Sequence, residues 1–284
     1  MMAKLTGPTG SKPKKAVTAA AKLALAVLFL VGTLLPLVWM ILSGFKTKLE
    51  VTRTPFKFLP DAWQVDNYMQ ILSDPAFTRA LGFTALVAVV FALGSLAVNS
   101  MAAYVFARLE FAFKRTVWTV VISTMFIPWM TILLTSFLVV NELRLINTMW
   151  VLVLPAMASA AQIFFLRQFY LGIPISLEEA ALIDGAGRFQ VFIRIFVPMS
   201  KGVFVVSGMT QFLAAWNSYV WPILTITDPK MNMIQQFLGL FRGSRSTEFG
   251  LLMAGSALSV VPVLIIFFVF QRQIIAGARL SGFK

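Results

Sequence analysis

Six stretches of mostly apolar residues run through this chain, each about as long as a helix must be to cross the hydrocarbon core of a bilayer. With edges uncertain by a few residues they cover 19–42, 80–105, 117–140, 148–169, 202–227 and 249–270. Lipid offers a backbone no hydrogen-bond partners, so a segment of that length crosses as a helix. The expected fold is therefore all-α, a polytopic membrane protein with six transmembrane helices. Composition agrees: charged residues make up 12% of the chain, against roughly 25% in an ordinary soluble domain. Phe outnumbers Tyr by 27 to 4, as suits rings that meet lipid or apolar neighbours rather than water.

Several kinds of chemistry lack their raw material. Cysteine is absent, so there is no disulfide framework and no thiol nucleophile. Histidine is absent too, which removes the commonest metal ligand and general base. No Gly-rich loop ending in Gly-Lys-Ser/Thr is present to cradle a nucleotide's phosphates. A membrane enzyme is thus poorly supplied. A gradient-driven carrier of a small polar solute, the main alternative to the reading below, usually places carboxylates in the membrane. None of the 11 acids here lies securely inside a span.

The basic excess follows membrane topology. With the N-terminus in the cytoplasm, the inside segments hold 15 of the 24 Lys and Arg residues against four acids, Glu110, Glu178, Glu179 and Asp184. They carry +11 of the formal +13, and the positive-inside rule puts both termini in the cytoplasm. The first apolar run follows Lys4, Lys12, Lys14, Lys15 and Lys22 but is too long for a signal-peptide core, so it reads as an uncleaved span. Residues 1–18 read as a flexible cytoplasmic tail, 19–272 as the permeation domain and 273–284 as a cytoplasmic C-terminal tail. The outer segment 43–79, with Pro55, Pro60, Trp63, Tyr68 and Pro75, reads as a short structured cap.

One inside segment, 171–198, is organised differently from the other loops. Pro174 ends what precedes it, and Ser176 stands three residues ahead of Glu179 at capping-box spacing. A helix is expected from there through Ile183, interrupted at Asp184-Gly185-Ala186-Gly187, where glycines accept backbone angles that other residues resist. A second run from Arg188 to Val197 puts Phe189, Phe192 and Phe196 on one face before Pro198 closes it. Two short amphipathic helices on a glycine elbow form either a pair lying on the membrane surface or a knob that docks into another protein.

The string Glu179-Ala180-Ala181-Leu182-Ile183-Asp184-Gly185-Ala186, followed by Ile195-Phe196-Val197-Pro198, resembles the EAA loop of binding-protein-dependent ABC transporter permeases. The likeness extends over essentially the whole chain. Ala215-Trp216-Asn217-Ser218-Tyr219 with Pro222, and Gly250-Leu251-Leu252-Met253-Ala254-Gly255 with Pro262, are similar to the carbohydrate-importer branch and its maltose-type (MalG-like) permeases. The last residues, from Gly277 to Lys284, depart from the alanine- and glycine-rich end usual there. The resemblance implies the MetI/MalG-like fold and a coupling helix seated on an ATPase subunit, with Glu179, Ala180 and Gly185 marking the contact. Glu178, Ala181, Asp184, Phe189 and Phe192 join them as candidate coupling residues. It further implies a second, homologous (MalF-like) permease, two copies of an ABC ATPase and an extracytoplasmic solute-binding protein. ATP and Mg would sit on the partner subunits, with no cofactor on this chain.

Polar side chains at membrane depth are costly unless they pair or face a wet path. Asn99, Gln162, Gln211 and Asn217 are the candidates for lining a substrate pathway, with Trp216 and Tyr219 as rings able to stack on a sugar face. Arg242 and Arg245 in an outer loop would tolerate an acidic sugar.

Overall fold

The computed structural model describes residues 12–243 and 247–282, and among these the chain is helical, with no sheet. In order the helices are α1 (Lys12–Ser43), α2 (Lys48–Val51), α3 (Asp66–Ser73), α4 (Pro75–Arg108), α5 (Lys114–Ser123), α6 (Leu133–Glu142), α7 (Met149–Val153) and α8 (Ala160–Leu171). There follow α9 (Ile175–Ile183), α10 (Arg188–Met199), α11 (Lys201–Trp216), α12 (Val220–Thr225), α13 (Ile234–Gly239) and α14 (Phe249–Gly282). Contacts divide the chain into two units, one of residues 1–71 with 243–258 and one of residues 72–242 with 259–284.

The first unit contains α1 and the segment after it that the sequence marks as a cap. α1 exposes its apolar length, and after Ser43 the chain folds into a small ordered knot. Lys46 is buried there, donating from Nζ to the Lys57 carbonyl at 2.5 Å and lying 5.7 Å from the centre of the Phe56 ring. Asn67 donates to the carbonyls of Gly44 and Lys46, and Tyr68 Oη donates to the Ile41 carbonyl. Gly250 approaches this knot so closely that a Cβ there would lie 2.6 Å from Asn67 Nδ2 and 2.9 Å from the Lys46 carbonyl oxygen.

In the second unit α4 is the central helix. Its buried positions Phe77, Ala80, Thr84, Val87, Phe91, Ser95, Asn99 and Ala103 recur at helical spacing and face α11 and α8. Small residues on this stripe, among them Ala80, Ala88, Ser95 and Ala103, let neighbouring helices come close. Close packing matters in lipid, where helices gain no hydrophobic free energy by associating.

Of the six spans expected from hydropathy, three are continuous helices among the described residues, or up to five spans if each bent helix pair is one. Three helices, α1, α4 and α14, are each long and apolar enough to cross a bilayer without a break. The third expected span is split at Ile127-Pro128, where the segments Lys114–Phe126 and Trp129–Glu142 meet at 95°. In the fourth, α7 ends at Val153 just before Pro155, and α8 restarts at Ala160 behind Ser159. In the fifth, α11 stops at Trp216. Pro222 has no N–H to donate to Ser218, and its ring would crowd that carbonyl, which disfavours a helix running through 217–219. Pro36 and Pro262 remain inside continuous helices.

Helix extends into both expected end segments. α1 begins at Lys12, so residues 12–18 of the expected flexible tail are helical, and residues 1–11 lie outside the described residues. The run after Pro13 is rich in Lys and Ala, both good helix formers. α14 continues to Gly282 through the segment expected as a tail from 273; no proline follows Pro262 to end it.

Candidate functional site

The elbow between α9 and α10 is built largely by backbone geometry. Gly185 has φ +84°, and the two bonds of a Schellman motif close the end of α9. Gly185 N–H donates to the Leu182 carbonyl at 3.1 Å, and Ala186 N–H donates to the Ala181 carbonyl at 2.9 Å. Gly187 is extended at φ −71° and uses none of its extra freedom; its N–H donates to Gln190 Oε1. The expected cap at Ser176 is not formed. α9 starts one residue earlier behind Pro174, whose fixed φ already sets the entry angle. In α10, residues Phe192–Phe196 form a π-helical turn ahead of Pro198, which cannot donate to Arg194. The 188–199 segment then meets α11 at 84°.

Only part of the candidate coupling set faces outward. Glu179, Ala180, Asp184 and Gly185 are exposed, Ala181 is half-buried, and Phe189 is 67% exposed. Ile183, not singled out by sequence, is the most exposed apolar side chain of the elbow at 86%. Glu178 and Phe192 turn inward. Phe192 packs on Tyr104 with ring centroids 5.3 Å apart, inside a core that includes Tyr170, Val191 and Phe196. Glu178 Oε1 accepts from Arg188 Nη1 at 2.6 Å and lies 3.5 Å from Tyr104 Oη. Its Oε2 lies 3.8 Å from Arg108 Nε. Arg108, at the end of α4, also donates to the carbonyls of Tyr170 and Ile173, at and just beyond the C-terminus of α8. A cation there complements the negative end of the helix dipole. Nothing in one sequence pairs Arg108 with Glu178; only the crossing of α4, α8 and α9 does.

The intramembrane amides form a hydrogen-bonded hub. Asn99 Nδ2 donates to the Ser95 carbonyl, to Ser95 Oγ and to the Met157 carbonyl at 2.7, 2.8 and 3.0 Å, while Oδ1 accepts from Ser159 N–H at 2.8 Å. Gln211 Nε2 donates to Ser95 Oγ at 2.6 Å, and Ser207 Oγ donates to Gln162 Oε1 at 2.5 Å. Gln162 Nε2 reaches Gln211 Oε1 at 3.5 Å, closing the set. Asn99, Gln162 and Gln211 are thus engaged in joining α4, α8 and α11, with Asn99 also satisfying the opened backbone near Pro155. Trp216 is likewise buried, stacked on Phe212 at 5.4 Å. Asn217 and Tyr219 are exposed, and Asn217 Nδ2 donates to its own helix at Leu213.

A cleft of about 300 Å³ opens where the three helix breaks converge. Phe91 of α4, Trp129 and Ser136 from the split third segment, Pro155 from the fourth, and Ser218 and Trp221 from the fifth all line it. Breaks that line a cavity are where membrane proteins tolerate irregular backbone. Tryptophan rings beside a few hydroxyls can stack on and hydrogen-bond a neutral polar solute. Among the described residues there is no cluster of acid side chains able to hold a metal.

A family model described as binding-protein-dependent transport system inner membrane component matches residues 100–279. The diacetylchitobiose uptake system permease protein NgcG of Streptomyces coelicolor is 30% identical, over 92% of this chain and 87% of its own length. The arabinooligosaccharides transport system permease protein AraQ of Halalkalibacterium halodurans is 29% identical, over 88% of this chain and 90% of its own. A chain in the crystal structure of a bacterial ABC transporter involved in the import of the acidic polysaccharide alginate superposes with a TM-score of 0.80 at 20% identity. It covers 94% of this chain and 100% of that one, a likeness of fold. With its helical architecture, its glycine elbow and a family match over most of its length, the chain belongs to the binding-protein-dependent transport system inner membrane components, the permeases of ABC importers.

Proposed function

We infer that this chain forms half of the translocation pore of an ATP-driven, binding-protein-dependent importer of a sugar or oligosaccharide. The observation that carries the reading is the elbow. It presents Ile183 and Phe189 to the outside on a Schellman-closed turn, while Glu178 and Phe192 root the same turn in the core. A rigid knob with an apolar tip can pass a push from a partner into α8 and α11. In this reading the partner is one of two ABC ATPase subunits, which hold ATP and Mg and whose closure reorients the pore. A second homologous permease completes that pore, and an extracytoplasmic solute-binding protein delivers the sugar from the side opposite the elbow. Both termini lie in the cytoplasm, on the side that carries the basic excess.

A carbohydrate is supported by the relatives, whose names include diacetylchitobiose, arabinooligosaccharides and lactose. The tryptophan-lined cleft fits that class. Arg242 would tolerate an acidic sugar, and Arg245 lies outside the described residues. Gentle detergent purification with mass measurement tests the assembly. An ATPase pair and a second permease should accompany this chain, and the complex should show sugar-stimulated ATP hydrolysis. A lone chain that transports in liposomes without ATP would instead establish a gradient-driven carrier.

A further inference from the structure

We propose that Arg108 and Glu178 form a two-position latch, open in this structure, that closes when the ATPase drives α9 toward the end of α4. This inference rests on the reading of the elbow as the ATPase contact. Arg108 Nε and Glu178 Oε2 are both buried, neither has a protein hydrogen-bond partner, and they face each other across 3.8 Å. The two groups already form an ion pair but no hydrogen bond, and a direct bond would recover free energy that this buried donor and acceptor lack. A movement of under about 1 Å would bring them within bonding distance. Glu178 Oε1 and Arg108 Nη2 are held. Glu178 Oε1 is bonded to Arg188, and Arg108 Nη2 donates to Tyr170 and Ile173 while the guanidinium lies 5.2 Å from the centre of the Phe196 ring. The remaining Nε–Oε2 gap is the place where α9 can shift against α4 and α8 between two defined arrangements.

Arg108 is therefore a positioning residue: it touches no substrate and ties the ends of α4 and α8 to the coupling helix. Arg188, with its side chain half-exposed, holds the carboxylate in both positions.

The test uses the complete assembly in proteoliposomes and reads sugar imported per ATP hydrolysed. Arg108→Gln and Glu178→Gln should each lower that ratio about tenfold, as expected for loss of a coupling of order 1–3 kcal/mol. The double variant should be no worse than either single one. A wild-type ratio in the single variants, or losses that multiply in the double variant, would overturn the latch. Should the variants fail to assemble, the wild-type complex trapped with a nonhydrolysable ATP analogue decides by structure. Arg108 Nε and Glu178 Oε2 should then lie within hydrogen-bond distance, and an unchanged or wider gap rejects the proposal. Failure of the parent reading looks different, because the wild-type chain would then bring down no ATPase subunits at all.

Discussion

Replacing Gly185 by alanine isolates what the elbow's backbone contributes. A Cβ at this position meets no atom within 4 Å, so the change introduces no clash, and only the left-handed φ of +84° opposes it. That conformation costs an L-residue about 1–2 kcal/mol. Alanine also lowers the entropy of the opened chain, offsetting roughly 0.5 kcal/mol. The net of about 1 kcal/mol raises the population of the opened turn about fivefold. Hydrogen exchange on the purified permease reads this directly, since the amides of Asp184 and Ala186 donate to Ala180 and Ala181 across the turn. Exchange at both should accelerate about fivefold in Gly185→Ala. Gly185→Asn should accelerate it less, because asparagine tolerates the left-handed region. Gly185→Leu should behave like alanine, since the space is open. Unchanged exchange in Gly185→Ala, or a leucine effect far beyond alanine, would refute the backbone account.

Asn99→Leu removes the partners of the Ser159 amide and the Met157 carbonyl, and should destabilise the permease by about 2 kcal/mol in detergent thermal unfolding. An unchanged midpoint would mean the hub holds nothing together. Ser218→Phe places a ring in the cleft of about 300 Å³ and should block import while ATPase subunits still copurify; undiminished import would place the sugar's route elsewhere. Gly250→Ala forces a Cβ to within 2.6 Å of Asn67 Nδ2 and should cost about 1–3 kcal/mol. Protease cleavage within residues 44–67 should accelerate in that variant, and wild-type resistance would show that the outer knot yields without cost.

The elbow was legible because its determinants are local. Gly185 two residues after Ile183, and Pro198 after an apolar turn, act through the backbone of their own segment, so sequence placed both helices and the break between them. The helix breaks were only half legible. Pro36, Pro128, Pro155 and Pro262 look alike in sequence, yet α1 and α14 continue through theirs while the third and fourth segments open. What decides is whether neighbouring helices satisfy the freed backbone groups. Asn99 does so near Pro155, through Met157 and Ser159, from a helix more than 50 residues away. The same non-locality hid the roles of Gln162 and Gln211, whose amides find each other and Ser95 only after α4, α8 and α11 pack. Glu178 and Glu179 are adjacent acids on a short helix in which Glu178 is buried while Ala181 and Leu182, on the same side, are half-buried. Periodicity alone could not say which acid turned inward to meet Arg108 and Arg188.

The central claim is that the outward face of this elbow seats on an ATPase subunit. A photo-crosslinking side chain at position 183, where the native isoleucine is 86% exposed, tests it in the intact assembly. The account predicts a crosslink to the ATPase subunit that changes in yield when ATP is bound. Crosslinks confined to lipid or to the second permease would contradict it, and would place the elbow on the membrane surface.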